Sequence, residues 1–178
     1  MSPVPSSMAL KLNEINDLSP AAFIAALADI FEHSSWVAED VVNLRPFAGI
    51  DRLHASMVAT VAAASEEQQI ALIRAHPDLA GKSATQGQLT ASSTSEQAGA
   101  GLDSLNSAEL AHFTKLNEAY RSRFQFPFII AVKGLDKYAI LQAYEPRLAN
   151  TRSDEVRTAL EQIAQIALFR LDSLFTTP

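Results

Sequence analysis

No cysteine occurs anywhere in the 178 residues. Disulfides, a thiol nucleophile, thiolate metal sites and iron–sulfur clusters are therefore excluded together. A reducing compartment is the easier setting for such a chain, and the cytoplasm is the expected location. Positive charge is scarce as well: 14 Lys and Arg stand against 20 Asp and Glu, giving a formal net charge of -6 and a pI near 5.1. That balance has the wrong sign for gripping phosphate backbones, so no nucleic-acid partner is expected. The longest apolar run, Phe126 to Val132, falls far short of the ~18 residues a spanning helix needs, so no membrane partner is expected either. The first ten residues carry no positive cluster ahead of an apolar stretch, and the last carry no Ser-Lys-Leu address. Residues 1–18 are expected to form a frayed N-terminal extension of a helical domain covering 19–178. There is no Gly-x-Ser-x-Gly elbow and no internal repeat. Gly99-Ala100-Gly101 lacks the third glycine, the preceding strand and the downstream acid of a dinucleotide loop, and reads as close helix packing.

What is present is helical periodicity. With 48% hydrophobic and 19% charged residues the chain suits one globular domain, at roughly 150 residues per domain. Such a domain buries about 70% of the surface its unfolded form exposes. Ser19-Pro20 opens a helix carrying Phe23, Leu27, Ile30 and Phe31, predicted over 20–32. Ile50, Leu53, Met57 and Val61 repeat the spacing, and Ser65-x-x-Gln68 forms a capping box ahead of Ile70, Leu72 and Ile73. Pro77 ends that helix near Ala75, which leaves His76 at its C-terminal end. Residues 81–94 read as a long loop. Ser107 and Ser153 open the two longest helices, and 135–144 forms another that Pro146 ends or restarts. Phe126–Val132 is strand-like but has no second run to pair with, so it is expected as a buried extended or short helical segment. The expected fold is all-α, a single-domain bundle of about seven or eight helices.

Several residues invite chemistry. Asp29–His33, Asp51–His54 and Glu109–His112 have helical spacing, but no further ligands converge on any of them and they read as surface pairs rather than a metal site. His76, between a helix end and a rigid proline, is either a C-cap or a proton donor favoured as imidazolium by the helix dipole. Ser93-x-x-Glu96 is itself a capping box, so Glu96 is placed at a helix start, as a cap or as a carboxylate facing a polar substrate beside Gln97. Arg170, among apolar residues near the chain's end, reads as a snorkelling surface cation ahead of a buried anion partner.

Two segments go beyond spacing. His76-Pro77-Asp78-Leu79-Ala80-Gly81 is followed by Leu89-Thr90 and by Ser93-Thr94-Ser95-Glu96-Gln97-Ala98-Gly99-Ala100-Gly101-Leu102. Together these closely resemble the 2-oxo-4-hydroxy-4-carboxy-5-ureidoimidazoline (OHCU) decarboxylase family of urate breakdown. The likeness extends to Phe31–Trp36, Arg45-Pro46-Phe47, Leu116–Tyr120 and Phe126–Ile129. The resemblance implies an all-helical homodimer, without metal or organic cofactor, that removes carbon dioxide from OHCU and yields (S)-allantoin. It carries the catalytic roles onto His76 and Glu96. It carries the substrate contacts onto Pro77, Ser93, Gln97, Phe128, Ile129, Ile130, Ala131, Val132 and Arg170. The chain departs from the family at Gln125, where glycine is usual; a positive φ at that position would strain glutamine. The competing expectation is a non-catalytic helical protein that binds ureides or serves as a scaffold; a metal-dependent hydrolase ranks third.

Overall fold

A computed structural model describes residues 10–81 and 87–175. Among these residues every regular element is helical and none is a strand. The α-helices are α1 (Leu12–Asp17), α2 (Pro20–Leu27), α3 (Trp36–Val41), α4 (Ile50–Ala63), α5 (Glu66–Ala75), α6 (Ala91–Gly99), α7 (Ser107–Phe124), α8 (Lys137–Leu148) and α9 (Arg152–Phe175), with a 3-10 turn at Val42–Leu44. The all-α expectation stands, and the added short elements are the six-residue α1 and α3, too brief to show a period.

By backbone proximity the chain divides into two compact units, Met1–Ala64 with Ile166–Pro178, and Ser65–Gln165. In the first unit Ser19 Oγ accepts from the Ala22 N–H at 3.2 Å and Pro20 occupies the first helical position, as its fixed φ favours. The helix stops at Leu27 instead of 32, and Ile30 and Phe31 are buried from a turn that includes His33 at φ 47. Residues 12–17, expected to be frayed, form α1 with Ile15 fully buried; residues 1–9 lie outside the described residues. Arg45 pins α1 from outside, with Nη1 donating to the Leu18 carbonyl at 2.5 Å and its guanidinium lying 5.0 Å from the centre of the Phe23 ring.

The second unit is built on aromatic rings. Tyr120 lies 4.7 Å from Phe124, 5.9 Å from Phe126 and 5.2 Å from Phe128, centre to centre, and Phe128 stacks on Tyr144 at 3.8 Å. Each such pair contributes about 0.5–1.5 kcal/mol beyond the area it buries. The capping box at Ser65 forms as the sequence requires, with Ser65 Oγ accepting from Gln68 N–H at 3.2 Å and Gln68 Oε1 accepting from Ser65 N–H at 3.3 Å. α7 is capped by Asn106, whose Oδ1 accepts from Glu109 N–H at 2.9 Å, so Ser107 is the first helical residue and not the cap.

Two expectations fail in this unit. Pro146 neither ends nor restarts its helix: α8 passes through it to Leu148. The proline falls in the last turn, where the forfeited hydrogen bond matters least, and Arg147 just beyond it is anchored by tertiary bonds. The loop expected over 81–94 ends sooner, because α6 starts at Ala91 with Thr90 as cap.

Candidate active site

α5 ends where Pro77 forces the preceding residue out of the helical region, and His76 takes φ -75 and ψ 140. Its N–H still reaches the Ile73 carbonyl at 3.2 Å, so the side chain is fixed at the helix terminus and only 6% exposed. Nδ1 lies 3.0 Å from the Leu72 carbonyl oxygen. A carbonyl can only accept, so Nδ1 carries a hydrogen, and Nε2 is the ring nitrogen at which a proton is gained or lost.

The loop that follows is shaped by side chains, since it has no regular backbone pairing. Gln97 Oε1 accepts from the Ala80 N–H at 3.0 Å, and Gln97 Nε2 donates to the Asp78 carbonyl at 3.3 Å. Asn117 Nδ2 donates to the Leu79 carbonyl at 2.8 Å, and Arg121 Nε donates to both Asp78 carboxylate oxygens at 3.0 and 3.1 Å. These bonds hold Ala80 at a positive φ of 50, a conformation that an unclamped alanine avoids. Gln97 is 5% exposed and spends half of its amide capacity on the loop, leaving one lone pair and one N–H for any ligand.

Phe126–Val132 is non-helical and has no regular secondary structure, with Phe128, Ile129 and Val132 buried and Ile130 and Ala131 half-buried. Arg147 Nη1 donates to the Ile129 carbonyl at 2.5 Å, Gln162 Oε1 accepts from the Ala131 N–H at 2.9 Å, and Leu135 N–H bonds the Val132 carbonyl at 2.9 Å. Three peptide groups of the segment are thus committed inside the protein, which turns attention to those of Phe128 and Ile130 for a ligand. Arg147 is itself fixed by Glu155, which is 0% exposed and accepts from Nε at 2.7 Å and from the Tyr120 hydroxyl at 3.0 Å. Burial pushes the Tyr120 phenol well above its usual pKa, so it remains the donor.

The second unit thus brings together His76, Pro77 and Gln97 around one loop, with Ser93 one turn before Gln97 on α6. Glu96 requires a correction. It is not at a helix start, because Thr90 Oγ1, not Ser93, caps α6 by accepting from Ser93 N–H at 3.2 Å. Ser93 is buried on the same face as Gln97, and Glu96 is half-buried in the body of the helix. Arg170 requires another. Within the first unit it does not snorkel: it is 7% exposed, with Nη1 at 2.8 Å from Glu32 Oε2 and 3.2 Å from the Asp29 carbonyl. The sequence assigned no site role to Asn117, Tyr144, Arg147, Glu155 or Glu32, although Asn117 and Glu32 lie in segments that carry the family resemblance. Asn117 carried a readable signal, because it sits in the apolar stripe of α7 with Phe113, Tyr120 and Phe124.

Comparison with known proteins adds to this geometry. The OHCU decarboxylase family profile matches residues 16–172. A 2-oxo-4-hydroxy-4-carboxy-5-ureidoimidazoline decarboxylase of Haloferax volcanii is 43% identical over 168 residues, covering 94% of this chain and 98% of that protein. A uric acid degradation bifunctional protein of Bacillus subtilis is 42% identical over 165 residues, covering 93% of this chain and 33% of that protein. The crystal structure of an (S)-allantoin synthase superposes with a TM-score of 0.77 at 34% identity, covering 94% of this chain and 55% of that one, so this chain spans about half its length. With the family profile spanning residues 16–172, and a relative 43% identical matched over 98% of its own length, the chain belongs to the OHCU decarboxylase family.

Proposed function

We propose that this chain decarboxylates OHCU to (S)-allantoin in urate breakdown, with His76 as the proton donor. The observation that carries the reading is the state of His76: buried, held at a helix end, with Nδ1 committed to the Leu72 carbonyl and Nε2 as the exchangeable position. The chemistry asks for little more. The substrate's carboxylate is attached to a carbon beside a C=N bond. When the carbon–carbon bond breaks, carbon dioxide leaves, the electron pair forms a C=C bond to the former C=N carbon, and the nitrogen takes up a proton. The hydroxyl then gives up its proton to become a carbonyl as the former C=N carbon takes a proton, a net uptake of one, and delivery from His76 to a single face of that carbon yields a single enantiomer. Glu96 and the remaining valences of Gln97 hold the hydroxyl and ureido groups, Ser93 and Pro77 line the same loop, and peptide groups within Phe128, Ile129, Ile130, Ala131 and Val132 complete the contacts. The resemblance also assigns Arg170 to the substrate. No step calls for a metal or an organic cofactor. The resemblance further implies a homodimer, and the lack of cysteine suits a reducing compartment such as the cytoplasm; light scattering on the purified protein reads the stoichiometry.

The test follows the circular dichroism of allantoin made from urate by urate oxidase and hydroxyisourate hydrolase, with and without catalytic amounts of this chain. Fast growth of the (S)-allantoin signal is expected. A slowly forming racemate, identical in both samples, overturns the reading in favour of a ureide-binding or scaffold protein. His76→Ala is expected to slow the chemical step by about 10² to 10⁴, as loss of a general acid does, while helical circular dichroism is retained. Turnover near that of the wild type removes His76 from the role.

A further inference from the structure

We infer that Tyr144 and Asn117 are positioning residues whose hydrogen bond sets the register between the His76 loop and the 128–132 segment. Resting on the function proposed above, this assigns them the approach of His76 to the substrate carbon. The Tyr144 hydroxyl donates to Asn117 Oδ1 at 2.6 Å, and Asn117 Nδ2 donates to the Leu79 carbonyl at 2.8 Å, three residues after His76. At its other side the Tyr144 ring lies flat on Phe128, 3.8 Å between centres and 16° between planes. One side chain thus touches the substrate segment through its ring and the proton donor's loop through its hydroxyl, with Asn117 as the only intermediate. Three residues further along α8, on the same face, Arg147 grips the Ile129 carbonyl, so ring and backbone of the segment are held from one helix.

The link has a defined polarity. Turning the Asn117 amide over would set its oxygen against the Leu79 carbonyl, which can only accept, so the Leu79 contact fixes Nδ2 on that side and leaves Oδ1 to accept from the Tyr144 hydroxyl. Burial holds the Tyr144 phenol far above its usual pKa, so the donor persists throughout the working pH range. Tyr144 is 0% and Asn117 6% exposed, and the Asn117 amide is needed in such a core to satisfy the Leu79 carbonyl. Stability does not by itself call for the Tyr144 hydroxyl, which phenylalanine would replace with the ring stack intact, whereas alignment of two non-helical segments does.

Three variants test this: Tyr144→Phe, which removes one oxygen atom and keeps the stacked ring; Asn117→Asp, which keeps the acceptor for Tyr144 and loses the donor to Leu79; and the double variant. Each single change is expected to lower kcat about tenfold while KM moves less than about threefold, since binding groups stay and alignment is lost. The double variant is expected to fall about tenfold as well, not the hundredfold of independent effects, because both changes cut one link. At excess enzyme the enantiomeric purity of the allantoin is expected to drop, as solvent protonation competes with His76. If Asn117→Asp does not fold, Tyr144→Phe decides alone. A lowered melting temperature with kcat and enantiomeric purity unchanged, or multiplicative losses in the double variant, overturns the proposal. Wild-type protein run alongside separates the two layers: an inactive wild type overturns the function and the link together, and an active wild type with unimpaired variants overturns the link alone.

Discussion

Gln125 shows how much a single backbone angle matters. It caps the C-terminus of α7 in the left-handed region, φ 64 and ψ 27, with its N–H on the Arg121 carbonyl at 2.7 Å and its own carbonyl accepting from Arg74 Nε at 3.1 Å. An L-residue in that region costs roughly 1–2 kcal/mol, part of which glycine would return as greater freedom of the unfolded chain. Gln125→Gly keeps both backbone bonds and is expected to stabilise by about 0.5–1 kcal/mol, raising the melting temperature by roughly 1–3 °C in calorimetry. A fall in melting temperature would mean that the glutamine side chain contributes more than its backbone angle costs. At this scale the sequence was informative where local chemistry decides, as at Gln125 and at His76 before Pro77. It was misleading for Arg170, because the partner that buries it, Glu32, comes from the opposite end of the chain and no spacing rule connects them.

Among the elements, α8 carries the sharpest conflict between local rule and tertiary result. Pro146 should break it, yet Arg147 beyond the proline bonds Glu155 of α9 and the Ile129 carbonyl. Arg147→Met is expected to destabilise by about 3–5 kcal/mol, because Glu155 is left buried without its cation. Arg147→Met combined with Glu155→Leu should recover only part of that loss, since it removes the uncompensated charge but leaves the Tyr120 hydroxyl and the Ile129 carbonyl unpartnered at about 1–3 kcal/mol each. Urea unfolding midpoints of the wild type, Arg147→Met, Glu155→Leu and the double variant measure the coupling; strict additivity would show that the pair is not a unit. Helices with wide apolar stripes, α4, α5, α7 and α9, were legible in the sequence, α5 through its capping box as well. The start of α6 was not, and the helix expected near Glu96 begins earlier: Ala91-Ser92-Ser93-Thr94-Ser95 has little helix propensity and no stripe, and two overlapping cap patterns compete, of which Thr90 prevails.

For the molecule as a whole, alkaline pH is the informative stress. Tyr120 and Tyr144 are two of the three tyrosines, and burial, the largest influence on both, raises their pKa far above the free value of 10.0. A raised phenol pKa gives stability that is fully present below the unfolded value and is lost as pH climbs toward the folded one. Above about pH 10 the stability of the second unit should therefore decline with pH. Phenolate absorbance from these two rings should appear only together with loss of helical circular dichroism. Phenolate formation from all three tyrosines ahead of unfolding would contradict the burial. The all-helical class was readable from periodicity, but the polar framework of the site was not, because most of its bonds join a helix side chain to a loop or non-helical segment far away in sequence.

That framework bears on how far a motif can travel. The loop after His76 owes its shape to Gln97, Asn117 and Arg121, 17 to 43 residues further along the chain. Copying residues 76–81 onto another scaffold would transfer the letters without the shape, and Ala80 would relax from its left-handed angle. A homologue that keeps the His-Pro-Asp-Leu string but loses an amide on either neighbouring helix is accordingly a candidate for lost function despite an intact signature. Function in such a lineage should erode first at positions that no motif search inspects.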